Sequence, residues 1–168
     1  MTQRKMFASS KTVYWPTEFS DIVNMLKGMD ENGNLIFPGM YRLNAGAMVL
    51  AAVLGLVNGR EREVGNARQE ISTDTFESQE LNNTRLAHYV MLIPVLAKQD
   101  VDLLRPERED ELLQIFQRLA AGGFEYLRGL LSTSSDPTGQ AVLHQQLLQA
   151  LGGDVSETTA MVDILGGL

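Results

Sequence analysis

With 168 residues, 44% of them hydrophobic and 21% charged, the chain has the composition of one ordinary globular domain rather than of a disordered segment. A net charge of −7 opposes unaided contact with phosphate backbones, which needs clustered Lys and Arg; zero cysteines exclude disulfides, thiol catalysis and Cys-ligated metals. Residues 1–11 are polar with no apolar leader, and no apolar run reaches the about 20 residues a bilayer demands, so a cytoplasmic protein without membrane contact is expected.

In chain order, residues 1–13 set Arg4, Lys5 and Lys11 among Ser and Thr and read as a flexible basic arm ahead of Tyr14-Trp15-Pro16. Ile22, Val23, Met25 and Leu26 recur at helical spacing behind Thr17 and Ser20, either of which can cap the helix, and Gly28 stops it. Residues 30–34 are a turn by composition, and residues 35–39 a short extended link, because proline pushes its predecessor out of the α region. The run 45–57 is almost uncharged Ala, Leu, Val, Gly and Met, which predicts a helix buried on most sides, with Asn44 as N-cap and Gly59 as the C′ residue. It breaks abruptly into Arg60-Glu61-Arg62-Glu63, and residues 61–72 read as polar and turn-like.

A single helical turn is expected around Phe76. Leu86, Tyr89, Val90, Ile93, Leu96 and Ala97 then mark a helix capped by Asn82 or Asn83, with Pro94 expected to kink or split it. Pro106 followed by Glu107, Glu109, Asp110 and Glu111 is a helix start, since acids complement the N-terminal dipole. Leu112, Leu113, Ile115, Phe116 and Leu119 supply its buried stripe, and Gly122-Gly123 is expected to interrupt it before a further helix over 124–131. Residues 132–139 read as a linker. Val142, Leu143, Leu147, Leu148 and Leu151 mark a last helix, and the tail places Met161, Ile164 and Leu165 between Gly-Gly pairs. The fold class is therefore all-α: a single compact helical domain of about five or six helices over 14–131, a C-terminal helix and tail over 140–168, and mobile termini.

Chemistry-bearing patterns are sparse. His88 and His144 stand outside any metal-ligating spacing and read as surface or core-edge histidines. Gly122-Gly123 follows a helix rather than a strand, so it forms no phosphate cradle and reads as a kink or a close helix approach. The acids of 107–111 are explained by the helix dipole. No catalytic, metal or cofactor site is expected, and the chain reads as a non-enzyme. The sharper expectation is an interaction surface. Arg60, Arg62 and Arg68 surround a turn held by a rigid buried helix, which lowers the ordering cost of binding, and Met161, Ile164 and Leu165 form an apolar patch at i, i+3 and i+4. The competing reading is a nucleic-acid-binding regulator or DNA sensor, using Arg4, Lys5 and Lys11 beside Tyr14 and Trp15 together with those three arginines.

Three segments then line up in order: Asn44 through Arg60, Leu92-Ile93-Pro94-Val95-Leu96-Ala97 with Asp100 and Leu103-Leu104, and Arg108 through Leu127. This combination resembles the small accessory proteins encoded beside bacterial DNA phosphorothioation (Dnd) gene clusters, the Dnd system-associated protein 4 family. Residues 51–60 resemble that family's apolar helix ending in Gly-Arg, and residues 115–127 its segment carrying a Gly-Gly pair. Gln117-Arg118-Leu119-Ala120-Ala121 stands where the family is acidic and aromatic. The likeness covers residues 42–131 and leaves 140–168 outside. It implies a role in bacterial anti-phage defence as a non-catalytic accessory or adaptor subunit that acts by protein–protein interaction. The implied partner is a larger nuclease, ATPase or modification enzyme, with self-association as a further expectation and nucleic acid reached only indirectly. The resemblance brings no catalytic residues with it.

Overall fold

A computed structural model describes residues 5–36, 39, 43–81, 83–136 and 138–150, and all structural statements refer to these. The chain divides into two compact units, Met1–Gly129 and Leu130–Leu168. The expected helices form, but the protein is mostly helical rather than all-α. In chain order it has β1 (Thr12–Pro16), α1 (Ser20–Leu26), α2 (Asn44–Val57), β2 (Arg68–Ser72), α3 (Thr73–Ser78), β3 (Glu80–Leu81), β4 (Thr84–Arg85), α4 (Leu86–Lys98), α5 (Glu109–Ser132) and α6 (Gln140–Ala150).

The two small sheets are the departure from the all-α expectation. β1 and β2 pair antiparallel, from Thr12 opposite Ser72 to Pro16 opposite Arg68, and β3 pairs with β4 as a minimal hairpin. β1 alternates as a strand should: Val13 and Trp15 are buried while Thr12 is exposed. β2 buries only Ile71, so its Arg-Gln-Glu-Ile-Ser sequence reads as turn when taken alone.

β1 also ties down the region expected to be a flexible arm. The Lys11 N–H donates to Thr73 Oγ1 at 2.9 Å and the Thr73 N–H returns a bond to the Lys11 carbonyl at 2.8 Å. Further upstream, the Met6 and Phe7 N–H groups share Glu77 Oε1, Ala8 N–H donates to Glu109 Oε1 at 2.8 Å, and the Phe7 side chain is buried. These carboxylates satisfy backbone donors that no ladder reaches.

The core of the first unit is built around α5. Gly122-Gly123, expected to end a helix, lies inside one continuous helix, and Pro94 likewise sits within an unbroken α4. The glycines serve close approach instead. A Cβ on Gly123 would lie 1.7 Å from the Ala51 carbonyl oxygen, and one on Gly55 would lie 2.1 Å from the Leu119 carbonyl oxygen. α2 and α5 therefore cross backbone to backbone, which the missing side chains of Gly55 and Gly123 permit. Flanking this crossing, Phe116 meets Phe76 of α3 edge-on at 5.9 Å, and Phe124 stacks on Phe19 at 5.6 Å with Trp15 at 6.1 Å. α4 packs against α2 and α3. At the end of α2, Asn58 is the C-cap and Gly59 takes the left-handed φ of +61° expected of a C′ glycine. Asn44 is not the N-cap; it lies one residue inside the helix, where its Oδ1 accepts from Lys27 Nζ at 3.0 Å.

In the second unit, Asp136 organises the start of α6. Its carboxylate accepts from the Thr138 N–H at 2.9 Å, the Thr138 hydroxyl at 2.8 Å and the Ala141 N–H at 2.8 Å, and these bonds hold its pKa below the usual carboxylate range. A turn thus occupies part of the expected linker 132–139.

Candidate interaction surface

The loop after α2 is pinned at both ends of its first few residues. Arg60 N–H donates to the Gly55 carbonyl at 2.8 Å, and Arg62 N–H to the Arg118 carbonyl of α5 at 3.0 Å. Between them the Arg60 carbonyl passes so close to Gly122 that a Cβ there would sit 2.5 Å from its oxygen. The loop backbone is as well supported as a helix, although it has no regular structure.

The side chains it carries meet different fates. Arg62 turns inward to Glu18 at 2.6 Å and Glu125 at 3.4 Å, with its guanidinium 5.3 Å from the Phe19 ring centre. Arg128 joins the same network through Asp21 at 2.6 Å and stands 4.7 Å over Phe19. Glu61 pairs with Lys98 and, at 3.4 Å, with Arg118. Arg68 lies 4.0 Å over the Tyr14 ring, the diagonal neighbour across the β1–β2 pair, and has no carboxylate partner among the described residues. Arg60 is exposed and makes no side-chain ion pair, hydrogen bond or ring contact among the described residues. Close in sequence stands Val57, 58% exposed, and α4 presents Leu92 and Leu96, half exposed at i and i+4.

The three arginines expected at a partner surface thus part company: Arg62 is half-buried and ion-paired, Arg68 lies over Tyr14 at a cleft, and Arg60 makes no side-chain contact among the described residues. Arg4 and the patch of Met161, Ile164 and Leu165 lie outside the described residues. Lys5 pairs with Asp74 at 3.2 Å, and Lys11 with Asp110 at 2.6 Å and Glu109 at 3.1 Å. Asp110, Glu109 and their field raise the Lys11 pKa, so this cation is bound more firmly to its acids than an exposed lysine would be. A nucleic-acid surface would require Lys5, Lys11 and Arg62 to give up these carboxylates.

Two residues that the sequence reading left out now enter. Arg118 and Gln114, on the outward side of α5, line two adjoining clefts. One, of about 520 Å³, also touches Tyr14, Glu63, Gly65 and Arg68. The other, of about 400 Å³, touches Lys98, Asp100, Arg108 and Glu111. In the second cleft the charges are spent: Arg108 bonds Asp100 at 2.7 Å and Glu111 at 2.8 Å, which lowers the pKa of both acids. Every fourth residue of α5 facing outward was the signal available, hidden by the stronger apolar stripe on its other side. Among the described residues, no group of three or more His, Cys, Asp or Glu is placed to hold a metal ion, and no helix is long and apolar enough to cross a membrane. His88 is exposed, with Nδ1 3.2 Å from the Arg85 carbonyl.

The protein is thus small and mostly helical, with Arg62, Arg108, Arg118 and Arg128 tied to acids and Arg60 and Arg68 without a carboxylate partner among the described residues. The comparison with known families gives the particular lineage: the chain belongs to the DNA sulphur modification system-associated protein 4 family, whose model matches residues 13–159. That match is wider than the 42–131 covered by the resemblance in the sequence, taking in β1 at one end and α6 at the other. No curated protein matches the chain, and no solved structure does.

Proposed function

We propose that the protein is a non-catalytic accessory subunit of a bacterial DNA sulphur modification system with a role in defence, an adaptor that binds a larger protein of that system through the Arg60 end of the fold. The observation that carries this reading is Arg60 itself. Its backbone is fixed by α2 and α5, so the loop does not have to order on binding, and its guanidinium has no partner among the described residues to surrender. An arginine presented in this way three residues after exposed Val57 has the character of an interface anchor, in which a cation and nearby apolar surface are desolvated together. The family description supports association with the modification system, and the partner's identity as a nuclease, ATPase or modification enzyme is part of the proposal.

The test is co-purification. Tagged full-length protein should retain a protein encoded in the same sulphur-modification gene cluster, and Arg60→Glu should lose it with an unchanged melting temperature. Retention of the partner by Arg60→Glu, or no such partner with the unaltered chain, overturns the reading.

A further inference from the structure

We infer that the cleft between residues 63–66, the β1–β2 pair and α5 is the receptor for an extended, carboxylate-bearing segment of the partner protein, gripped by Arg68 and Arg118. This rests on the adaptor reading and adds to it where, and by what chemistry, the partner chain is held.

Arg68 and Arg118 both fall short of a close carboxylate. Elsewhere in the first unit Arg62, Arg105, Arg108 and Arg128 each have at least one carboxylate at 2.6 to 2.9 Å: Glu18, Asp102, Asp100 with Glu111, and Asp21. Arg118 reaches Glu61 only at 3.4 Å and Glu63 only at 3.7 Å, and its Nε is buried without a hydrogen bond. A charge-assisted bond closes to about 2.7–2.9 Å, so Arg118 is held near acids but not satisfied by them. Arg68 has the Tyr14 ring against its face, which steadies the guanidinium and spends none of its N–H donors. Two forks that recognise oxyanions therefore line one cleft of about 520 Å³, opposed there only by Glu63, whose side chain is 84% exposed.

The remaining walls select a peptide. The N–H groups of Val64, Gly65 and Asn66 make no hydrogen bond among the described residues, and Gln114 offers an exposed amide. Backbone N–H groups without partners can donate to the carbonyls of an incoming main chain, and amides match its polar side chains. A polyanionic strand fits worse. Continuing along α5 it would meet Lys98 and Arg108 already bonded to Glu61, Asp100 and Glu111, under the field of a chain with net charge −7. One arginine without a carboxylate partner among the described residues, Arg68, and one with only long contacts, Arg118, suit two carboxylates.

Fluorescence anisotropy on the full chain tests this with three labelled probes: an octapeptide of alternating Gly and Glu, its Gly and Gln counterpart, and a short single-stranded oligonucleotide. Binding of the Glu peptide alone is expected, weakened about tenfold or more by Arg68→Gln or Arg118→Gln. Gln114→Glu, at an exposed position, should weaken it through repulsion and guards against an arginine variant that misfolds. Equal binding by all variants, no binding of the Glu peptide, or tighter binding of the oligonucleotide at the same arginines overturns the inference. Co-purification separates the two claims: a partner lost with Arg60→Glu but kept with Gln114→Glu leaves the adaptor reading standing and removes the cleft.

Discussion

Replacing Gly123 by Ala adds one methyl group where α5 crosses α2, and the structure says what that methyl group meets. It would lie 1.7 Å from the Ala51 carbonyl oxygen and 2.5 Å from its carbon, with the Gly55 nitrogen at 2.9 Å, all of them backbone atoms with no rotamer to change. Ordinary contact begins near 3.4 Å, so the helices must part by well over 1 Å along the whole crossing. That separation would loosen Phe116 and Phe124, which are fully buried on α5. Overpacking a dense core costs about 1–3 kcal/mol, occasionally more, and a backbone obstacle places this site at the upper end. Alanine recovers about 0.5–1 kcal/mol of helix propensity, leaving a net destabilisation of about 2 kcal/mol or more. In a chain of this length that lowers the melting temperature by roughly 4–8 °C. Gly129→Ala is the matched control, in the same helix with nothing within 4 Å of the added Cβ, and should be neutral or stabilising by up to about 1 kcal/mol. Thermal and urea unfolding followed by circular dichroism give both values. If Gly123→Ala is as stable as the unaltered chain, or gains stability as Gly129→Ala does, the helix-crossing argument is wrong.

Glu109→Ala should cost about 2 kcal/mol, because the buried carboxylate accepts the Ala8 N–H and faces Lys11, and limited trypsin digestion should then cut faster at Lys5 and Lys11; unchanged cleavage would mean that other contacts hold the N-terminal segment. The carboxylates of Asp100 and Glu111 are lowered chiefly by hydrogen bonds from Arg108, and that of Asp74 by Ser10 and Lys5. A lowered folded pKa contributes stability that is complete above the ordinary carboxylate value of about 4 and is lost as pH falls through the folded value, so unfolding should ease below about pH 4. Arg108→Gln should make the acid limb of stability against pH shallower, and an unaltered slope would show that these pairs contribute nothing to it.

The helices were legible because their apolar residues recur locally. Leu112, Leu113, Ile115, Phe116 and Leu119 mark α5 without knowledge of any other part of the chain, and the composition of 45–57 marks α2 as a buried element. The β1–β2 pair was not legible, since a strand is stabilised by its partner. Val13 and Trp15 alternate correctly, but the segment that completes them lies beyond α2 and offers a single apolar residue, Ile71. The contacts of residues 6–8 were not legible for the same reason: Glu77 and Glu109, which accept their N–H groups, are distant in sequence and look like helix-surface acids. Gly122-Gly123 carries both of its readings in any sequence, and only the presence of Ala51 and Gly55 opposite decides for close approach over a break.

The same crossing bears on how the family resemblance should be used. Ala51 and Gly55 belong to one of the segments that carry it, and Gly122 and Gly123 to another, and these two segments pack on each other. A resemblance made of such residues identifies a fold reliably, because each small side chain is demanded by a backbone a few ångströms away. It says little about a binding site, whose residues answer to a partner rather than to this chain's own backbone. Arg60 shows the division within a single residue. Its carbonyl is locked against Gly122 and its N–H against Gly55, so its position is dictated by the crossing. Its guanidinium makes no contact among the described residues, so a change confined to it leaves the crossing intact. A variant that keeps the backbone and reverses that charge therefore tests the proposed interface apart from the fold, which no substitution at Gly55 or Gly123 can do.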